Sequence, residues 1–211
     1  MSRIIVFGAG GRGGRATIQE AVRRGHRVTA VVRDSGKHAD LVSDGVEVVV
    51  GDVTDVEAVA RLAKGHDAAV NSTADLNADF DAFFSTAARA TLEALAAAGV
   101  GRLVTVGLAS LLENASGVPL MDTPGYPQEY RSFYLGHEAG MRVLRETATP
   151  VDWVVLSPAG DFDHGGTPTG RYRLAPGDAD SRITYADFAL AVLDEIDNPA
   201  HHKTHLGIEA A

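Results

Sequence analysis

The run Gly8-Ala9-Gly10-Gly11-Arg12-Gly13-Gly14 carries the clearest chemistry in the chain. It fits G-x-G-x-x-G through Gly8, Gly10 and Gly13, and G-x-x-G-x-x-G through Gly8, Gly11 and Gly14. Either spacing lets the backbone turn tightly, approach a pyrophosphate and place its charge on a helix N-terminus. A glycine-rich turn without a ligand is the plainer reading. Context argues against it, because the run lies between an apolar strand pattern and a helical one. Arg33 follows a second apolar run, with Asp34 next and Lys37 nearby. A guanidinium there suits a ribose 2′-phosphate, and Arg12 and Lys37 could join it in one basic pocket. That favours NADP, while Asp34 keeps NAD open. Asp52 could accept from an adenine amino group beside Val53; equally, Asp52 or Thr54 could cap a following helix. Ser72, Thr73 and Ala74 are small enough to leave room for a nicotinamide ribose.

These residues can meet only if several strands end at one edge of a sheet. The pattern supplies that edge. Strands are expected at Ile4–Phe7, Arg27–Val32, Val46–Val50, Ala68–Asn71, Arg102–Val106 and Val151–Leu156, with a closing strand near His205–Ile208. Helices are expected at Gly14–Arg24, Val56–Ala63, Phe80–Ala98, Tyr130–Thr147 and Tyr185–Asp197. Strict alternation implies an α/β fold: a Rossmann-type, doubly wound parallel sheet with ligands at the carboxyl ends of its strands. Residues 1–211 read as one domain, with about 157–211 building a small C-terminal substrate region.

Composition removes other classes. The chain has no cysteine, which excludes disulfides, thiolate metal sites and a cysteine nucleophile. A net charge of −9 argues against nucleic-acid or anionic-membrane partners. No apolar run approaches the roughly 20 residues of a membrane span, and the N-terminus lacks a signal-peptide pattern. A cytoplasmic monomer or homodimer with a small-molecule substrate is expected. Asp161, Asp163 and His164, and separately His201, His202 and His205, suggest metal ligands; solvated loops and a surface turn before an edge strand are the preferred readings, and no metal is expected.

The motifs together resemble the atypical short-chain dehydrogenase/reductase superfamily. The likeness is greatest to the group provisionally named NADH-flavin reductases, and extends to NmrA-like proteins and biliverdin reductase B. It rests on IIVFGAGGRGG, VVRDSGK, GDVTD, LVTVGLASLL, MDTPGYPQEY, VDWVVLSPAGDF, TGRYRL and ITYADFALAVLDEIDNP, which follow one another in the family's order. The resemblance implies a bound nicotinamide dinucleotide, places Pro158 beside the nicotinamide amide, and matches Ser110 to the superfamily's catalytic serine within one residue of register.

The usual catalytic pair is missing. Ordinary members follow a tyrosine with a lysine four residues later, whose cation lowers the phenol pKa. Here Tyr134 is followed by Glu138, and a carboxylate would raise that pKa. His137 could donate a proton when charged, or serve only as a helix residue. Phe162, Tyr126 and Tyr172 could form a lid over a planar substrate, or pack in the core. A flavin takes its proton from water, so this donor set suits flavin or quinone-like acceptors better than carbonyls. Two alternatives are a non-catalytic NmrA-like dinucleotide sensor and an NAD(P)-dependent epimerase or dehydratase.

Overall fold

The computed structural model describes residues 1–211. Its strands are β1 (Arg3–Phe7), β2 (Arg27–Val32), β3 (Val46–Val50), β4 (Ala68–Asn71), β5 (Arg102–Val106), β6 (Asp152–Pro158), β7 (Asp161–Asp163), β8 (Tyr172–Ala175), β9 (Arg182–Thr184) and β10 (Thr204–Ala210). Its helices are α1 (Arg12–Arg23), α2 (Val56–Ala63), α3 (Phe80–Ala98), α4 (Arg131–Glu146) and α5 (Tyr185–Asp197). Eight strands form one sheet in the order β3-β2-β1-β4-β5-β6-β10-β8. All its pairings are parallel except β8 on β10. The small β7–β9 pair stands apart as a second sheet. This is the Rossmann-type α/β fold.

Buried strands explain the continuous apolar runs. Successive side chains point to opposite faces. Ile4 and Val6 of β1 join the core under α1 and α5, whereas Ile5 and Phe7 join the core under α2, α3 and α4. Side chains also stop and start the helices. Asp55 accepts from Ala58 N to cap α2, Asp79 from Ala82 N to cap α3, and Thr184 from Asp187 N to cap α5. Neither Asp52 nor Thr54 caps α2. Asp52 instead accepts from the amide and hydroxyl of Thr54, closing a local turn one residue before the true cap.

Three differences from the sequence reading bear on the site. Helix α1 begins at Arg12, within the glycine run rather than at its end. A 3₁₀ segment, Ser35–Leu41, follows β2, started by Asp34 accepting from Gly36 N. Strand β10 is not an edge, because β8 pairs along its outer side. No helix is long and apolar enough to cross a membrane.

Candidate functional site

The carboxyl ends of β1, β2, β3 and β4 open on a cleft of about 740 Å³. Gly8, Gly10, Gly11, Arg33, Lys37, Asp52, Val53, Ser72, Thr73 and Ala74 all line it. The glycines differ in what they permit. Gly8 has φ +77°, and a Cβ on it would lie 2.3 Å from the Ser72 carbonyl oxygen. A Cβ on Gly14 would lie 2.3 Å from the Gly8 carbonyl oxygen. Backbone blocks both, so Gly8 and Gly14 are the strict positions of the turn. A Cβ on Gly10 or Gly13 would meet only the side chains of His38 or Ser72. Gly13 and Gly14 thus seat α1 against the turn without lining the cleft.

Helix α1 starts at this turn without a cap. Gly11 occupies the N-cap position, no side chain accepts there, and no acidic residue lies in the first turn. The amides of Arg12, Gly13 and Gly14 donate no hydrogen bond within the chain. Free amides at a helix N-terminus, carrying the positive end of its dipole, form a cradle for an anion. The residues therefore fit a dinucleotide pyrophosphate.

The expected basic pocket is divided. Arg33, 66% exposed, pairs with Asp75 at 2.5 Å across the cleft, and Lys37 lies 3.6 Å from Asp34. Arg12 does not join them. It is the first residue of α1 and points toward the segment after β7, where its guanidinium meets His164 Nδ1 at 2.7 Å. His38 stands in its place against Gly10, held by Arg15, which also donates to Gly10 O and pairs with Asp40. The sequence reading did not single out His38 or Asp75. Only the 3₁₀ segment and the β4 exit bring them to the cleft.

Pro158 ends β6, buried, with Ile208 of β10 opposite it in register. It lies on the far side of β4 and β5 from the adenine end. Of the three catalytic candidates, Ser110 follows β5, and Tyr134 and His137 lie on α4. Ser110 is 0% exposed in a 3₁₀ turn, and its hydroxyl has no hydrogen-bond partner. Tyr134 is buried and packs edge-on to Tyr126, ring centroids 5.4 Å apart. Burial raises its phenol pKa, with Glu129, Tyr130 and Asp161 adding to the rise. Glu138 is exposed and is not among the causes. His137 faces a separate small pocket of about 40 Å³ between α3, α4 and the sheet. Its ring packs on Phe84 at 3.9 Å. Burial, helped by His205, pushes its pKa down to about 3. An imidazole held neutral cannot act as the charged donor envisaged from sequence. His205 shares the pocket, bonds Ser157 Oγ at 2.7 Å, and is pushed down to about 4 by burial and Arg145.

The three aromatic residues expected as a lid separate. Phe162 stacks on Tyr185 at 4.1 Å with 13° between planes, and Tyr126 pairs with Tyr134. Tyr172 is elsewhere, its hydroxyl donating to Asp194 of α5. The three C-terminal histidines also have separate partners: His201 meets Glu195, His202 meets Asp152, and His205 meets Ser157.

Comparison with known proteins agrees with the cleft. A family model described as NAD(P)H-binding matches residues 8–199. The uncharacterised protein YwnB of Bacillus subtilis is 35% identical over 207 residues, 94% of each chain. A Streptococcus pneumoniae structure provisionally named an NADH-flavin reductase superposes with TM-score 0.86 at 28% identity, covering 100% of both chains. A Bacteroides thetaiotaomicron structure provisionally named an epimerase gives TM-score 0.86 at 31% identity, covering 99% of this chain and 97% of that one.

Proposed function

The chain belongs to the NAD(P)H-binding family that matches its residues 8–199, and on that premise we propose that it is an NADPH-dependent oxidoreductase passing a hydride to a flavin, quinone or other planar acceptor. The observation that carries this reading is the uncapped N-terminus of α1, whose N-cap residue Gly11 lines the 740 Å³ cleft. When bound there, the nicotinamide cofactor supplies the hydride.

The amides of Arg12, Gly13 and Gly14 would hold the pyrophosphate, with the backbone of Gly8, Gly10 and Gly11 close beside it. Arg33 would exchange Asp75 for the 2′-phosphate, with Lys37 assisting, which favours NADPH over NADH. Asp52 and Val53 would bound the adenine. Ser72, Thr73 and Ala74 would border the nicotinamide ribose, and Pro158 the amide end. Residues 157–211 would complete the same domain on the acceptor side.

The nature of the acceptor follows from the proton donors. Tyr134 keeps its proton because its phenol is raised, and His137 stays uncharged because its pKa is about 3. A carbonyl acceptor needs a donor for its developing alkoxide. A flavin or quinone takes its proton from water and chiefly needs two flat rings held in contact. The stacked pair Phe162–Tyr185 would offer a flat ring surface for that contact. Ser110, Tyr134 and His137 then act by shape and as neutral hydrogen-bonding groups. The test is the rate of NADPH oxidation with riboflavin, quinones and ketones offered separately. Flavin or quinone turnover is expected; turnover of ketones alone overturns the reading.

A further inference from the structure

We propose that the pocket of about 40 Å³ between α3, α4 and the sheet holds a short file of water that brings a proton to the reduced acceptor, with His137 as its relay group and His205 at its outer end. This rests on the oxidoreductase reading above. The floor of the pocket is one row of side chains across the sheet. Asn71 of β4, Thr105 of β5, Val155 of β6 and His205 of β10 stand in register and line it together. Two residues earlier on the same face, Ala69, Leu103 and Trp153 form a wholly apolar row. Polar groups therefore replace apolar ones only where the row nears the strand ends. The roof is Phe84, Ala88, Gly140 and Met141, with His137 among them. Gly107 keeps the far corner open, because a Cβ on it would lie 2.6 Å from Ser157 Oγ, the partner of His205.

The polar groups of the pocket have bonding capacity to spare. His137 packs on the rings of Phe84 and Phe133 and makes no hydrogen bond within the chain. Thr105 Oγ1 makes none either, and His205 uses only Nε2, toward Ser157 Oγ at 2.7 Å. Asn71 accepts from Thr73 through Oδ1, while its amide nitrogen donates to nothing in the chain. Such groups around a mostly apolar space are satisfied by water. One water needs about 10–15 Å³, so the pocket takes about three. The row spans three strand spacings, about 14 Å, which about three waters bridge with His137 and the Thr105 hydroxyl. Both ends meet larger spaces. Thr73 lines the pocket and the cofactor cleft; Leu111 and His205 line the pocket and an open hollow of about 550 Å³ with Glu113, Arg145 and Lys203 on its walls. NADPH, acceptor and one proton give NADP⁺ and reduced acceptor. The file supplies that proton, and solvent in the hollow restores it. A neutral imidazole accepts a proton on one nitrogen and releases one from the other. Both rings are held neutral by burial, so neither traps the proton on its way.

Two measurements test this. Nuclear Overhauser transfer from long-lived water to the ring protons of His137 and His205 in wild type reads the file without any turnover. Transfer to both rings is expected; transfer to one or neither overturns the proposal. The second measurement is kcat with NADPH and a naphthoquinone, in H₂O and in D₂O, for wild type and His137→Ala. Thr105→Val, which removes a hydroxyl and keeps the side-chain shape, takes its place if His137→Ala does not fold. The variant should lose about ten-fold in kcat, and its solvent isotope effect should rise as proton delivery becomes limiting. Added imidazole should restore His137→Ala, and thiophene, a five-membered ring without an N–H, should not. An unchanged rate and isotope effect, or equal rescue by thiophene, overturns the proton route. Water at both rings with no turnover of any acceptor contradicts the oxidoreductase reading, while the water site stands. Turnover indifferent to the variant contradicts the route alone.

Discussion

In the proposed function, cofactor choice turns on Arg33. It stands at the β2 exit with its guanidinium exposed and only Asp75 to leave. Arg33→Ala should weaken NADPH by about ten- to hundred-fold, the worth of a charge-assisted bidentate contact, and NADH much less. Titration of each cofactor checks this; equal weakening contradicts the 2′-phosphate role. Gly14→Ala forces a Cβ against the Gly8 carbonyl. It should lower stability by about 1–3 kcal/mol and abolish measurable NADPH binding, read by urea unfolding and calorimetry. The glycine turn and strand exits were legible in the sequence because their residues are close along the chain and lie at the ends of apolar strand patterns. The partners of Arg12 and His205 were not. Arg12 meets a histidine 152 residues away, and His205 a serine 48 residues away. Local spacing holds no information about such pairs.

At the scale of elements, legibility followed length and period. Helix α3 and strand β3 stand where the pattern placed them, because alanine and leucine over five turns, or four valines in five residues, admit few other structures. Strands β7, β8 and β9 are three or four residues long and mostly polar, too short to show a period. They form because main-chain neighbours are already fixed, as where Asp161 N donates to Ser181 O. The far end of the sheet depends on one buried arginine. Arg102 of β5 bonds Glu195 of α5 at 2.7 Å, Asp152 of β6 at 2.6 Å, and the carbonyls of Glu195 and His201. Arg102→Ala leaves Glu195 buried without its cation and should cost about 3–5 kcal/mol in denaturant unfolding. A loss below about 1 kcal/mol would mean that solvent reaches Glu195.

The whole molecule should be sensitive to mild acid. His137 and His205 are held neutral with pKa values of about 3 and about 4, and burial also lowers that of His66. In the unfolded chain each titrates near 6.5. Between those values the unfolded state binds more protons, so stability is complete above about pH 6.5 and declines as pH falls toward 4 and then 3. The slope should be on the order of 1 kcal/mol per pH unit for His137 and for His205. Carboxylates held low by arginine, such as Glu20 and Asp40, add to the loss at lower pH. Tm measured from about pH 7 to about pH 5 should therefore fall; a flat profile would mean that the buried rings accept protons without unfolding. The proposed function puts the dinucleotide in the cleft at the β1–β4 exits and a flat acceptor beyond it. An anaerobic single-turnover reaction of protein, riboflavin and NADPH, with either hydrogen or deuterium at the transferred nicotinamide position, tests that arrangement most directly. The flavin's visible absorption should bleach in proportion to NADPH consumed, and more slowly with deuterium. NADPH that binds tightly but bleaches neither riboflavin nor a quinone would contradict the account.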